Sequence, residues 1–278
     1  MTTAIRPPAV AGRFYPGNAQ RLRAEVETFT AVPAIAGQQT TEVKIPAVGC
    51  IVPHAGYVYS GAVAGALYRR LELPRRCVIL CPNHTGQGEP LAIMSQGAWR
   101  TPLGDAAIDS ELAGSLKAAA PLLSEDPEAH RYEHALEVQL PFLQVLKPGF
   151  QFVPIAVGTS NFEALSALGL AIAEVLSELP EPSLVIASSD MNHYENDSIT
   201  RAKDRRAIDQ VLALNPRGLY ETVRQGNISM CGYGPATIML TAARKLGASK
   251  AELVRYATSG DVSGDRDMVV GYAGIAVY

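Results

Sequence analysis

The sequence predicts a single α/β domain, with helices on both faces of a mostly parallel or mixed sheet. Three observations carry that expectation. Short, wholly apolar runs alternate with longer segments of helical periodicity. No charge run, low-complexity stretch or fixed-period repeat marks a linker in the 278 residues, so one domain over 1–278 is the simplest organisation. Three apolar runs end in histidine-bearing polar tips: AVGCIVPHAGY (Ala47–Tyr57), CVILCPNHTG (Cys77–Gly86) and SLVIASSDMNHY (Ser183–Tyr194). In open α/β sheets, ligands bind just beyond the carboxyl ends of the strands.

Taken in order, Arg6–Pro16 holds three prolines and a glycine and reads as an irregular arm. Gln20–Thr30 is a first helix, and Val32–Lys44 a loop without periodicity. The Ala47–His54 strand leads to a helix over about Ser60–Leu71. The Cys77–Pro82 strand and a short extended piece, Leu91–Ser95, follow. Ile108, Leu112 and Leu116 share one face of a helix over Ile108–Ala119. His134–Leu146 carries apolar residues on two faces, as a buried helix does, with Pro141 kinking or breaking it. Phe150–Val157 and Ser183–Ser188 are strands on either side of a Phe162–Leu179 helix. Ile199–Leu214 and Arg217–Gln225 are helical. Pro235 occupies a first helical position of a helix running to Leu246. Leu253–Thr258 and Met268–Val277 close the chain as strands.

Composition excludes several classes. Hydrophobic residues make up 47% and charged residues only 18%, against roughly 25% charged in typical soluble domains. A large core, or surface buried between subunits of a homo-oligomer, accounts for the deficit. The net charge of −3 supplies no basic field for nucleic acid. The one basic cluster, Lys203–Arg206, is interleaved with Asp204 and reads as a solvated helix face. No apolar stretch reaches the ~20 residues of a membrane span. The N-terminus lacks the apolar core of a signal peptide. Cys50, Cys77, Cys81 and Cys231 form no C-x-x-C pair and suit reduced thiols in a cytoplasmic protein.

The chemistry gathers at the tips. His54 and His84 each follow a strand and a proline and precede a glycine, as metal ligands or acid/base groups at strand ends do. Asn83 either orients His84, donates to a bound oxygen, or caps the turn. Asp190 and His193 pair a carboxylate with an imidazole three residues on, for metal or proton transfer. Ser188 and Ser189 lack the G-x-S-x-G context of a hydrolase nucleophile. Cys231 precedes the Pro235 helix, whose dipole favours thiolate. It is a soft metal ligand, a nucleophile or a small buried hydrophobe at a helix cap. His134, flanked by Glu133 and Glu137, opens the buried helix as a proton donor or a cap. His130 has no such context and is expected at the surface. SGDVSGDRD (Ser259–Asp267) lacks the lysine of a phosphate loop and reads as a loop near the site mouth.

Together the blocks VPHAGYVYSG, CPNHTG, EHALEVQLPFL, SSDMNHY and MCGYGP resemble the signature blocks of the MEMO family. That family includes the bacterial and archaeal proteins called AmmeMemoRadiSam system protein B. AVAGRFYPG and GYAGIAVY resemble its terminal blocks, so the resemblance spans nearly the whole chain. It implies a three-layer α/β fold similar to class III extradiol dioxygenases, and metal ligands at His54, His84 and Cys231. It also implies further pocket residues at Asp190, His193 and His134, and Tyr57 is a candidate to line the pocket with Asn83. The expected metal is iron, with copper or zinc as competitors. The expected role is a redox-type protein acting on a small phenolic or other small molecule. Rival roles are a binding module for phosphotyrosine-like peptides, and an accessory partner of a radical S-adenosylmethionine enzyme and an AMMECR-type protein. One departure matters: those dioxygenases use two His and one carboxylate, whereas here a thiolate stands third.

Overall fold

The computed structural model describes residues 4–32 and 43–278, so the loop expected over Val32–Lys44 lies largely outside the described residues. One mixed sheet runs through the molecule. Its order is Ile5–Arg6, Ala98–Thr101, Gly104–Ile108, Gln151–Val157, Arg76–Pro82, Ser183–Ser188, Gly49–Val52, Val269–Val277 and His193–Glu195. The four central strands, from Gln151–Val157 to Gly49–Val52, are parallel. Val269–Val277 pairs antiparallel with Gly49–Val52 on one side and with Ala251–Thr258 on the other. Parallel strands covered on both faces read as continuous apolar runs, which is why these were visible in the sequence.

Alternation along Arg76–Pro82 shows the layering. Val78 and Leu80 join one core; Cys77, Ile79 and Cys81 join the other. The first core lies under Ser110–Ala119, Phe162–Ser177, Asp197–Leu212, Pro216–Gln225 and Tyr233–Lys245. The second lies under Ala19–Thr30, Tyr57–Arg70 and Leu140–Leu146. The three layers agree with the expected fold. Asn18, Asp109, Asn161, Asn196 and Asn215 each cap a helix by accepting a backbone N–H of its first turn.

Several boundaries differ for physical reasons. Residues 134–146 form a 3₁₀ turn, Glu137–Gln139, followed by the helix Leu140–Leu146. Pro141 sits in the first turn of that helix, where its missing N–H costs nothing, so the helix starts there instead of kinking. Pro235 lies two residues inside a helix that begins at Tyr233. The arm is not wholly irregular: Ile5–Arg6 adds a parallel edge strand to Ala98–Thr101. Asp204, expected on a solvated face, is fully buried. No helix among the described residues is long and apolar enough to cross a membrane. Cys50, Cys77 and Cys81 are buried free thiols, as expected.

The arm is fastened by a buried ion pair between Arg6 and Glu137. The Arg6 guanidinium also donates to the carbonyls of His130 (2.8 Å) and Glu133 (2.7 Å) and lies 4.1 Å from the Trp99 ring centroid. The Glu137 carboxylate accepts from Ala9 N, Val10 N and Tyr15 Oη at 2.7, 3.0 and 2.6 Å. Removing one partner of a buried pair leaves an uncompensated charge, at a cost of about 3–5 kcal/mol. Glu137→Gln is therefore expected to lower the stability measured by urea unfolding by that amount. An exposed pair such as Arg205–Asp209, broken by Asp209→Asn, is expected to change it by less than about 1 kcal/mol.

Candidate metal centre

The strand order sets the three tips side by side. Ser183–Ser188 lies between Arg76–Pro82 and Gly49–Val52, so the Asp190 tip stands between those of His84 and His54. Ser189 N donates to Val52 O (2.8 Å), and Asp190 Oδ1 accepts from His54 N (2.7 Å) and Ala55 N (3.3 Å). Asp190 thus clamps the backbone of the first tip. Burial raises its carboxyl above the usual range, against the pull of those two N–H groups.

The tautomer of His54 follows from proton counting. Its Nδ1 lies 2.9 Å from Ser188 Oγ. That hydroxyl donates its one proton to Ala135 O (2.6 Å) and accepts from Gln139 Nε2 (2.9 Å). It can only accept from His54, so Nδ1 carries the proton and Nε2 keeps a lone pair. Nε2 lies 3.2 Å from Cys231 Sγ. Burial, with His84 and His134 close by, holds the His54 pKa well below its ordinary value, so the ring is neutral.

His84 is oriented by a carboxylate. Glu133 accepts its backbone N–H (2.6 Å) and its Nδ1–H (2.9 Å), and also Ala135 N (2.8 Å). Burial alone would raise the Glu133 pKa, but the bonds and charge of His84 hold it down to about 2. The carboxylate in turn raises the His84 pKa against the effect of burial. Nδ1 being engaged, Nε2 is the free donor of this ring. A carboxylate or other acceptor behind the distal nitrogen is the arrangement that orients metal-ligating histidines.

Cys231 comes from the loop entering Tyr233–Lys245. Gly232 N donates to Ser189 Oγ (3.0 Å), and a Cβ at Gly232 would lie 2.4 Å from Ser188 O, so only glycine permits this approach. The expected lowering of the thiol pKa is overturned. The sulfur precedes the cap on a half-buried residue, and its desolvation together with the Asp190 charge pushes the thiol up.

One nitrogen of His54, one of His84 and the sulfur lie within 4.8 Å of one another. Bonds of about 2.0–2.3 Å to a tetrahedral ion would separate them by roughly 3.3–3.7 Å, so the donor set fits with a small contraction. His84, Glu133 and His134 also meet this spacing. There Glu133 is already engaged by three N–H groups, which makes it a partner of His84 and not a free donor.

His134, Asp190 and His193 line the same cavity, of about 590 Å³, between walls of Phe14, Tyr194 and Tyr272. His134 stacks on His84 with centroids 4.7 Å apart. His193 Nδ1 lies 2.8 Å from Ser229 O and donates to it, leaving Nε2 able to accept a proton.

Three expectations fail. Tyr57 does not line the cavity: it is buried among Tyr15, Phe29 and Phe142, and its hydroxyl donates to Val138 O (2.6 Å). Asn83 caps its own turn, accepting from Thr85 N, Thr85 Oγ1 and Gly86 N. His130 is fully buried, 5.6 Å from Trp99, and burial with the Arg6 charge lowers its pKa to about 4. Ser259–Asp267 adds no residue to the cavity wall but borders it, as expected: Ser259 N donates to Val270 O (2.9 Å) and Val270 N to Ser259 Oγ (3.0 Å), Val270 being a wall residue. The segment is tied to the Asp197–Leu212 helix through Asp261, Arg201, Arg266 and Asp197. Glu133, Gln139, Ser188, Ser229, Phe14 and Tyr272 were not singled out as site residues; each acts through a contact distant in sequence.

The chain matches the model of the Memo-like protein family over residues 6–276. It is 44% identical to a MEMO1 family protein of Methanopyrus kandleri, over 97% of this chain and 98% of that one. The chain belongs to the Memo-like family. A MEMO1 family protein of Methanothermobacter thermautotrophicus is 42% identical, over 97% of this chain and 99% of that one. The crystal structure of an uncharacterized protein from Escherichia coli K12 shares the fold, with a TM-score of 0.58 at 13% identity, over 82% of this chain and 98% of that one.

Behind the His193 tip, Asp204 accepts from Asn192 N (2.8 Å) and Tyr256 Oη (2.6 Å). Burial raises its pKa to about 7, from 3.8. A carboxyl raised in the folded state adds stability that is complete below its unfolded pKa and lost as pH rises through the folded value. Thermal unfolding is expected to show the wild type losing stability between pH 5 and 8. Asp204→Asn should give a flatter profile and be the more stable of the two at pH 8.

Proposed function

We propose that His54, His84 and Cys231 hold one transition-metal ion, and that this Memo-like chain is a redox-type protein acting on a small hydroxyl-bearing molecule. The observation that carries the reading is the pair of orienting partners. Ser188 and Glu133 occupy Nδ1 of both imidazoles, leaving two Nε2 lone pairs near one sulfur. Buried polar groups on two segments far apart in sequence, Ser188 and the Glu133–Gln139 turn, are committed to that orientation.

Three protein donors leave a coordination position for a ligand, as catalytic sites do. Iron(II) is the proposed occupant. The thiolate is a soft donor that also suits copper(I) and zinc, which are its competitors. When bound, the ion supplies Lewis-acid polarisation of a ligand oxygen.

The chain's own groups supply the rest. His193, with Nδ1 tied to Ser229 O, presents its Nε2 as the nitrogen that takes a proton from a hydroxyl in the cavity. Burial holds the His134 pKa below its ordinary value, which keeps that ring neutral as a second acceptor beside Glu133. Asp190 stays engaged with His54 N and Ala55 N and fixes the tip. Phe14 and Tyr272 shelter the cavity from water on its apolar side.

Purified protein reconstituted anaerobically with iron(II) is expected to carry close to one equivalent of metal by elemental analysis. His54→Ala, His84→Ala and Cys231→Ser should each lose most of it while keeping the wild-type circular dichroism spectrum. Equal metal content in all four proteins would sink the reading.

A further inference from the structure

Tyr194 has a backbone conformation its side chain disfavours. Its φ is +59°, one of three positive values at non-glycine positions among the described residues. The other two, Leu214 and Asn227, follow helix ends, where a left-handed residue commonly terminates the helix. Tyr194 ends no helix. It lies in the middle of His193–Glu195, where His193 pairs with Val270 but Glu195 pairs with Val269. Such a bulge re-aims a side chain.

Both neighbours are pinned. His193 N donates to Ser229 Oγ (2.7 Å) and His193 Nδ1 to Ser229 O (2.8 Å). Glu195 accepts from Lys203 Nζ (2.6 Å) and Asn192 Nδ2 (2.7 Å). The strain is therefore imposed by the surroundings. Core packing does not compensate it, because Tyr194 is 68% exposed. What the bulge does achieve is to set a large flat ring on the wall of the metal-centre cavity, 5.6 Å from the His193 ring. Phe14, packed on His134 at 4.8 Å, lines the same cavity.

We propose that Tyr194 is a specificity-determining residue of the cavity. Its ring favours ligands that carry a flat, unsaturated group outward from the metal-binding end over aliphatic ligands with the same metal-binding end. This rests on the proposed metal centre. Phenol–ring contacts of this kind are offset-stacked or edge-to-face and add to simple burial. The phenolic hydroxyl is not required, so Phe serves as well as Tyr.

The test uses two probes with one metal-binding group, benzohydroxamate and acetohydroxamate, titrated into the iron-loaded full chain by calorimetry. The wild type and Tyr194→Phe should prefer benzohydroxamate by a similar ratio. Tyr194→Ala should reduce that ratio by about 3- to 10-fold, with acetohydroxamate affinity and metal content unchanged. Tyr194→Gly should reduce it equally, yet melt about 2–4 °C above Tyr194→Ala, since glycine accepts the positive φ. An unchanged ratio in both variants overturns the role of Tyr194. Absence of metal from the reconstituted wild type, measured on the same samples, overturns instead the metal centre on which the role rests.

Discussion

The turn Glu133–Gln139 ties three separate parts of the molecule together through buried polar side chains. Glu133 faces His84, Gln139 faces Ser188 and Pro53 O, and Glu137 faces Arg6 and the N-terminal arm. Ala135 adds its carbonyl to Ser188. Each buried donor here has its acceptor, so the network specifies one arrangement; a half-satisfied one would be costly. The orientation of both imidazoles and the seating of Phe14 over the first tip, where Phe14 O accepts from Tyr57 N (2.7 Å), depend on this turn. The parallel sheet brings the tips together, but the turn decides which nitrogen faces the sulfur.

The fold was largely legible because its central strands are buried on both faces and its long helices are amphipathic. These are local signals. The convergence of the tips was legible as well, since strand ends in such a sheet share one edge. Proline misled where its position was read as a kink or break: Pro141 sits inside a first turn, where a missing N–H is harmless, whereas Pro235, read as a helix start, does lie in the first turn of its helix. Asp204 and His130 misled because polar residues in unremarkable sequence contexts were read as surface. Both are buried by contacts formed across the fold, with Tyr256 and Trp99.

The site itself divides in the same way. His54, His84 and Cys231 stood out through their positions at strand and helix ends. Their orienting partners did not, because Glu133 lies 49 residues from His84 and Ser188 lies 134 from His54. No spacing rule reaches that far. The helix-dipole argument for an acidic thiol failed because desolvation of the sulfur outweighs a partial charge one residue beyond it. On the proposed reading the ion itself would supply the charge that makes Cys231 a thiolate. That coupling separates this donor set from one of two histidines and a carboxylate, whose third ligand is already ionised at neutral pH.

X-ray absorption of the zinc-loaded protein tests the donor set most directly, because sulfur and imidazole nitrogen scatter at different distances. One sulfur near 2.3 Å and two imidazole nitrogens at about 2.0–2.1 Å are predicted, with the sulfur shell lost in Cys231→Ser. A first shell of nitrogen and oxygen alone in the wild type would contradict the account.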